Sequence, residues 1–237
     1  MDLSSLLPAL SRSVEPANAI ASGLLPLPTS ARAPVAASML SERSAPLLII
    51  SPRFDRVLTL AQELPYWAPQ APVAIFPEPD PLFYEKLPWG AQTRLQRAEI
   101  LARLASMTAA DGSIILASIR AIMAVTVAPD QMRASIRELQ ISQTVEILEL
   151  LEFLLGIGYD SASIVIDRGQ FSRRGGILDV WSNSQSAPTR IELFGDEIDS
   201  MREFDPATQR SAEKIQRLEL TPAREGIPTY LTKAPDH

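Results

Sequence analysis

Three short apolar runs alternate with helical segments in the first 120 residues, and this alternation limits the possible folds more than any other feature. Continuously apolar runs of four to six residues are typical of strands that are buried on both faces of a parallel sheet. Apolar residues with helical spacing between the runs indicate helices that cover the sheet. We therefore predict an α/β domain. Its predicted strands are 46–51, 72–76 and 113–117, and its predicted helices are 54–64 and 92–106.

A helix with a different pattern follows Pro129. Ser142 is a typical N-cap residue, and Gly156 and Gly158 are typical of a helix end, so we predict a helix between them. Acidic residues recur at every third position on one edge, whereas the other edge is apolar and is predicted to pack into a core. The acids are Glu146, Glu149 and Glu152, and the apolar residues are Val145, Leu148, Leu151 and Leu155.

Residues 162–201 alternate with a period of two. Ile164 and Ile166, for example, alternate with Val165 and Asp167. This alternation, interrupted by turns rich in Gly, Ser, Asn and Pro, predicts short strands in a small antiparallel sheet. We therefore predict a boundary near residue 128, between the α/β domain and a smaller α+β domain.

The composition excludes several kinds of chemistry. The chain has 237 residues and no cysteine, and its only histidine is His237. We therefore exclude thiolate nucleophiles and histidine-based triads, and we expect no metal site. The net charge of −6 argues against a surface built for sequence-independent DNA binding. Because no apolar run approaches the roughly 18 residues of a membrane span, we expect a cytoplasmic protein with no membrane partner.

A nucleotide site is the first candidate function of a parallel α/β domain. A P-loop requires glycines that expose backbone N–H groups to the phosphates, followed by a lysine that neutralises them. The chain contains no Gly-Lys pair. The most similar stretch, residues 23–32, has prolines in place of backbone donors and lacks the lysine. We therefore predict no catalytic residue and no cofactor in this chain.

The acidic stretch at 195–199 is the second candidate. It follows an apolar strand, as the magnesium-binding acids of ATPase motors do. However, the preceding strand alternates instead of being buried on both faces, and no phosphate loop accompanies it. We favour a hairpin with its turn at Gly195 and Asp196. The alternative is an ATPase that uses Asp196, Glu197 and Asp199 to hold magnesium.

A proline-rich segment at 76–90 carries acids and aromatic residues. Paired-carboxylate catalysis is not favoured there, because acids in such loops are usually solvated and no partner acid or base is nearby. We expect the aromatic residues to fix the loop to its domain, although a loop of this length can also carry a binding function. The acids are Glu78, Asp80 and Glu85, and the aromatic residues are Phe83, Tyr84 and Trp89.

The last candidate is a protein-binding face made of Arg173, Arg174, Arg190 and Phe194. Arginine and aromatic residues are enriched where protein interfaces derive most of their binding energy. The alternative is that these arginines are solvated residues at a strand edge. The glycines at 175–176 are compatible with either a bulge or a turn.

Several motifs resemble, in order and spacing, the N-terminal part of the bacterial transcription-repair coupling factor family. Nearly the whole chain is covered, with a looser fit over the first forty residues. The motifs are RGGILDV at 174–180, RIELFGDEIDS at 190–200, FDPATQRS at 204–211, LTPARE at 220–225 and FPEPDPLFYE at 76–85.

The resemblance implies a module related to UvrB, an excision-repair helicase subunit. Such a module has a parallel-sheet, helicase-like α/β domain without a P-loop, interrupted by a small α+β domain with an antiparallel sheet. The implied boundaries are 1–128 for the first part, 129–217 for the α+β domain and 218–237 for the start of the resumed domain. UvrB itself carries a P-loop and has Arg-Gly-Asp where this chain has Arg-Gly-Gly at 174–176.

The resemblance also implies the partners. The α+β domain is expected to bind UvrA, the damage-scanning subunit. RNA polymerase and DNA are expected to bind a C-terminal part that lies outside this chain, where the full-length motor uses ATP and magnesium. An intramolecular contact with a C-terminal domain is expected to mask the UvrA-binding face.

The family's UvrA-binding residues are two arginines and a phenylalanine. Their motif positions correspond to Arg174, Arg190 and Phe194, with Arg173 as an alternative to Arg174. Two other hypotheses remain. One is a UvrB-type ATPase that acts on damaged DNA, and the other is a purely structural domain that covers the Arg174 face with its own chain.

Overall fold

The structure, a computed structural model, describes residues 2–14, 26–42, 45–81, 85, 87–108 and 111–225. The chain forms two compact units, each built from two segments. The first unit comprises Met1–Leu82 and Met107–Val125, and the second comprises Phe83–Ser106 and Thr126–His237. Within the described ranges, no helix is both long and apolar enough to cross a membrane.

Helices and strands alternate in the first unit, and short strands dominate the second. The helices are α1 (Leu7–Val14), α2 (Arg32–Glu42), α3 (Phe54–Trp67), α4 (Ala91–Ser106), α5 (Ile119–Met123), α6 (Pro129–Ala134) and α7 (Ile147–Gly156). The strands are β1 (Leu47–Ser51), β2 (Val73–Phe76), β3 (Ile114–Ser118), β4 (Arg137–Gln140), β5 (Asp160–Ser161), β6 (Gln170–Arg174), β7 (Ile177–Val180), β8 (Thr189–Phe194), β9 (Glu197–Phe204), β10 (Ser211–Lys214) and β11 (Arg217–Leu220).

The first unit contains a three-stranded parallel sheet in the order β1-β3-β2. Every residue of the central strand β3 is buried, as expected for a strand covered on both faces. Val57 and Leu64 of α3 pack against this sheet together with Ala33 and Ala36 of α2. The predicted α/β class and parallel sheet are therefore confirmed. Helix α3 extends to Trp67, three residues beyond its predicted end.

The second unit contains a six-stranded sheet in the order β10-β9-β8-β7-β6-β5. All neighbouring strands are antiparallel except β5 and β6, which are parallel. Strands β4 and β11 form a separate antiparallel pair. One face of the large sheet contributes apolar side chains to the core of this unit. They include Phe171, Leu178, Val180, Ile191, Ile198 and Met201.

The turns between the central strands place glycine where the backbone requires it. The predicted hairpin turn is confirmed, because β8 and β9 are joined through Gly195, whose φ angle is +64°. Gly175 has a φ angle of +61° and joins β6 to β7, so the two adjacent glycines form a turn and not a bulge. Both φ values lie in the left-handed region that glycine adopts without steric cost.

The predicted start of helix α7 is wrong. Ser142 does not cap the helix. Its N-cap is Glu146, whose carboxylate accepts hydrogen bonds from the N–H groups of Leu148 and Glu149. The segment before the helix binds the β8–β9 hairpin instead. Ser142 N–H donates to Ile198 O, and Val145 N–H donates to Asp196 O. These bonds join Ser142 and Val145 to the β8–β9 hairpin, and Ser142 itself lies in a turn with a φ angle of +64°.

The predicted buried edge of α7 is also wrong in part. Leu150 and Leu154 are completely buried, whereas Leu148 and Leu155 are largely exposed. The helix sequence ILELLEFLLG is apolar on most of its circumference, so spacing alone does not determine which edge faces the core.

The predicted strand around Ile164 and Ile166 is absent from the described structure. Strand β5 ends at Ser161, and residues 162–169 form a loop. Val165 is completely buried, whereas Ile164 and Ile166 are about half exposed. The period of two in this loop therefore reflects one buried residue between two exposed residues, without strand pairing.

The two compact units are divided differently from the predicted domains. Helix α4 belongs to the second unit. Its buried Arg97 forms an ion pair with Glu225 and lies 4.8 Å from the Trp89 ring centroid. Strand β11 also belongs to this unit, because it pairs with β4. The boundary near residue 128 remains a prediction of the sequence pattern and of the resemblance, and the boundary at 217 remains a prediction of the resemblance.

Candidate partner-binding face

The large sheet of the second unit has one apolar face and one face rich in arginine. Side chains alternate along each strand, so Ile191 and Leu193 point towards the core whereas Arg190 and Phe194 point away from it. We call this second face of β6–β9 the arginine face. It carries Ser172, Arg174, Asp179, Arg190, Phe194 and Arg202.

Strand register brings the polar residues of the arginine face together. Ser172 lies opposite Asp179, Asp179 opposite Arg190, and Arg190 opposite Arg202. Side chains that are directly opposite on neighbouring strands are within contact distance. Arg174 follows Ser172 by two residues and therefore lies on the same face.

Asp179 is at the centre of this face. Arg190 donates from Nε to Oδ1 at 2.7 Å and from Nη2 to Oδ2 at 2.8 Å, and Arg174 donates from Nη2 to Oδ2 at 2.6 Å. The Asp179 side chain is only 1% exposed. A buried carboxylate needs such charge-assisted hydrogen bonds to compensate for its lost hydration. One acid of the sheet thus connects both predicted arginines.

The two arginines differ in exposure. The Arg190 side chain is 16% exposed and uses two N–H groups on Asp179. Its guanidinium also lies 4.9 Å from the ring centroid of the buried Phe204, within the range of a cation–π contact. The hydrogen bond to Asp179 raises the pKa of Arg190. Arg174 is 53% exposed and donates one described hydrogen bond, so about half of its side chain is accessible to solvent.

Phe194 is the most exposed phenylalanine described, with 84% of its surface accessible. It is the last residue of β8, just after an irregularity in the pairing of β8 with β9 at Glu192 and Leu193. A large exposed ring on a paired strand costs little conformational entropy on binding and offers apolar area. It is suited to fill a pocket on a partner.

Arg173 is not brought together with the other candidates. It alternates with Arg174 on β6 and therefore points to the same side as Phe171, which is part of the core. Its Nε donates to the carbonyl oxygen of Gly175 at 3.4 Å. The geometry therefore favours Arg174 over Arg173 as the member of the arginine face.

The loop at residues 163–167 borders the arginine face and is held by side-chain hydrogen bonds. Ser172 Oγ donates to Ser163 O at 3.0 Å. The N–H groups of Ile166 and Asp167 both donate to Gln170 Oε1. Gln209 Nε2 donates to Val165 O at 3.3 Å. These bonds attach residues 163–167 to the sheet beside Asp179.

Four residues on or against the arginine face were not predicted as site residues from the sequence: Ser172, Asp179, Arg202 and Phe204. The signal for Asp179 is a single acid between Leu178 and Val180 in an otherwise apolar strand. Such an acid faces away from the core, but only strand register identifies its partners. Arg202 lies opposite Arg190, and its buried Nε has no hydrogen-bond partner among the described residues.

The acids of the ATPase alternative do not form a metal site. Asp196, Glu197 and Asp199 are all exposed around the β8–β9 turn. Across the residues that the structure describes, no group of three or more His, Cys, Asp or Glu is arranged to hold a metal ion.

Among the acids of the proline-rich segment, Glu78 has a structural role. Glu78 accepts a hydrogen bond from Ser118 Oγ and forms an ion pair with Arg120. Arg120 donates in addition to the carbonyl oxygens of Pro79 and Pro81. Glu78 therefore helps to hold this segment. Phe83 and Tyr84, which were predicted to fix the loop, lie outside the described residues.

The structural alternative predicts that the chain covers its own Arg174 face. Among the described residues, nothing covers Arg174 or Phe194, since both side chains are more than half exposed. The described structure therefore does not support this alternative.

A sequence model of the UvrB interaction domain family matches residues 138–225. This match includes every residue of the arginine face. It begins within β4 and continues past β11, so it covers both sheets of the second unit.

Proteins described as transcription-repair-coupling factors are similar over most of the chain. The protein of Bacillus subtilis is 28% identical over 198 residues, which are 84% of this chain and 17% of the relative. That of Myxococcus xanthus is 30% identical over 212 residues, again covering 17% of the relative. A Staphylococcus epidermidis protein is 42% identical over 91 residues, or 38% of this chain.

The chain thus spans about a sixth of the length of the first two relatives. The family match and these relatives agree with each other and with the sequence motifs on the arginine face. Residues 138–225 are thus a UvrB interaction domain, and over most of its length the chain is similar to transcription-repair-coupling factors, in agreement with a UvrB-like module.

Proposed function

We propose that this chain is a non-catalytic docking module that recruits UvrA to RNA polymerase stalled at DNA damage. The observation that carries the proposal is the arginine face itself. It lies within the matched UvrB interaction domain and combines a solvent-facing arginine with an exposed phenylalanine. These residue types supply most of the binding energy in many protein interfaces.

The chemistry of the face defines the surface that it fits. The N–H groups of Arg174 that donate no hydrogen bond to the described residues are suited to a carboxylate, which a guanidinium binds through two parallel hydrogen bonds. Phe194 is suited to an apolar pocket next to that acid. UvrA is proposed to present both features. The partly exposed Arg190 is proposed to support the contact from the side.

The proposed architecture follows the family. The first unit corresponds to a helicase-like α/β domain without a P-loop, and the second contains the inserted α+β domain. The ATP- and magnesium-dependent motor, and the sites for RNA polymerase and DNA, are assigned to the rest of a longer protein. A C-terminal domain of that protein is proposed to mask the arginine face in the resting state.

The proposal is tested by measuring the affinity of the purified chain for purified UvrA by calorimetry. We expect saturable binding that the double substitution Arg174→Ala, Phe194→Ala reduces by at least about a hundredfold. Both substitutions are at exposed positions, so thermal unfolding should show a folded variant. Equal binding of the wild-type and doubly substituted chains would overturn the assignment of this face.

The non-catalytic part is tested separately. The chain is incubated with ATP, magnesium and damaged DNA, and phosphate release is compared with that of a Glu197→Gln variant. We expect no release above background from either protein. Turnover that Glu197→Gln abolishes would instead support a UvrB-type ATPase.

A further inference from the structure

The carboxylate of Asp179 uses both oxygens on arginines. Oδ1 accepts from Arg190, and Oδ2 accepts from both Arg190 and Arg174. The side chain is 1% exposed, so a protein partner that approaches the face does not reach it. Asp179 therefore acts on a partner only through the two arginines.

The bonds to Asp179 restrict both guanidiniums. Arg190 is held at Nε and Nη2, which fixes the plane of its guanidinium, and Phe204 lies against it. Arg174 donates a described hydrogen bond from Nη2 only, and its side chain is 53% exposed. Arg174 on β6 and Arg190 on β8 lie on either side of β7, which carries the acid. Without the acid, the two like charges would repel each other, and both long side chains would sample many rotamers.

We propose that Asp179 is a positioning residue of the docking face, which orders the two guanidiniums before the partner binds. This inference rests on the proposed function. It gives the buried acid a role in affinity in addition to its role in the sheet, because side chains that are already ordered lose less entropy on binding.

Positioning and simple charge attraction predict opposite effects when the acid is neutralised. Asp179→Asn keeps the size of the side chain but removes one negative charge from the face. If net charge alone governed the attraction to an acidic partner surface, this substitution would strengthen binding. If ordering of the arginines matters more, it weakens binding.

The matched control is Asp199→Asn. Asp199 is exposed on β9, which β8 separates from the strand of Asp179, and it forms no described ion pair. Its substitution changes the net charge by the same amount without removing a hydrogen bond to an arginine. Comparison of the two variants therefore separates ordering from net charge.

The experiment measures the affinity of the chain for purified UvrA at low and high salt. We expect Asp179→Asn to weaken binding by about tenfold or more, and Asp199→Asn to leave it unchanged or slightly stronger. We also expect Arg174→Ala to have a much smaller effect in the Asp179→Asn background than in the wild type. Binding by Asp179→Asn that equals or exceeds wild-type binding would overturn the inference.

Two further measurements keep the outcome interpretable. In the free wild-type chain, NMR relaxation of the arginine Nε–Hε groups should show that of Arg190 to be as rigid as the backbone, and disorder there would also overturn the inference. Phe194→Ala should still weaken the binding of a folded Asp179→Asn chain. If neither the wild type nor its Phe194→Ala variant binds UvrA, the proposed function fails. If Phe194→Ala weakens binding to UvrA but Asp179→Asn does not, only the positioning role of Asp179 is refuted.

Discussion

Arg173 and Arg174 are neighbours on β6 but point to opposite faces of the sheet. Arg174 donates a 2.6 Å hydrogen bond to Asp179. Arg173 points to the side of Phe171 and donates to the carbonyl oxygen of Gly175, two residues further along the chain. Their sequence positions are nearly equivalent, but only Arg174 shares a surface with Arg190 and Phe194. The two residues therefore form a natural pair of test and control.

Arg174→Ala is expected to weaken binding to UvrA by about 2 kcal/mol, because it removes a charge at the centre of the proposed contact. Arg173→Ala removes the same charge from the opposite face and is expected to change the binding free energy by less than about 0.5 kcal/mol. Calorimetric titrations of both variants at the same ionic strength measure the difference. Equal losses for the two variants would show that net charge, and not the arginine face, determines binding.

Phe194→Ala is expected to separate binding from stability. Its ring is 84% exposed, so its removal should change the free energy of unfolding by less than about 0.5 kcal/mol. Binding to UvrA should weaken by about 2 kcal/mol, because the ring loses its pocket on the partner. Urea unfolding and titration with UvrA measure the two quantities.

Leu148→Ala is the control for Phe194→Ala. Leu148 is an apolar residue of α7 that is also more than half exposed, and it lies outside the arginine face. Its substitution should alter neither the free energy of unfolding nor the affinity for UvrA. A comparable loss of binding for Leu148→Ala would place the contact on another surface of the domain.

The elements of the fold are largely predictable because their patterns are local. The apolar runs that became β1, β2 and β3, and the glycine turn between β8 and β9, each depend on a few consecutive residues. Strand pairing across a turn as short as Gly195 and Asp196 follows almost directly from that turn. The α/β class and the antiparallel sheet could therefore be inferred from the sequence.

The missed features depend on contacts between distant segments. Ser142 and Val145 do not enter the helix, because their N–H groups donate to carbonyl groups of the β8–β9 hairpin some fifty residues later. The role of Asp179 requires the register that places it opposite Arg190. Neither relationship leaves a periodic signal in the sequence. The choice between Arg173 and Arg174 similarly requires knowledge of which side of β6 faces the core.

The cap of α7 provides a test of the corrected helix start. Glu146→Ala removes the acceptor of the Leu148 and Glu149 N–H groups and is expected to lower the free energy of unfolding by about 1 kcal/mol. Ser142→Ala should lower it by less than about 0.5 kcal/mol, because the Ser142 side chain does not cap the helix. Urea unfolding followed by circular dichroism measures both. A larger loss for Ser142→Ala would restore Ser142 as the cap.

The buried Tyr159 predicts how stability depends on pH in the alkaline range. Its hydroxyl donates to Thr221 O at 2.8 Å and accepts from the N–H of Asn183. Burial raises the pKa of Tyr159 from 10.0 to about 12. The unfolded chain therefore releases this proton at lower pH than the folded chain does. The stability contributed by the neutral hydroxyl is complete below pH 10 and is lost as the pH rises through about 12.

The expected loss is roughly 3 kcal/mol over this interval, since each unit of pKa difference corresponds to about 1.4 kcal/mol. Urea unfolding at a series of pH values between 9 and 12 measures it. Tyr159→Phe is the matched variant, because it retains the ring and removes the titrating group. It should be less stable at neutral pH, owing to the lost hydrogen bond, but its stability should fall less steeply in alkali. Parallel curves for the two proteins would show that Tyr159 is not the group responsible.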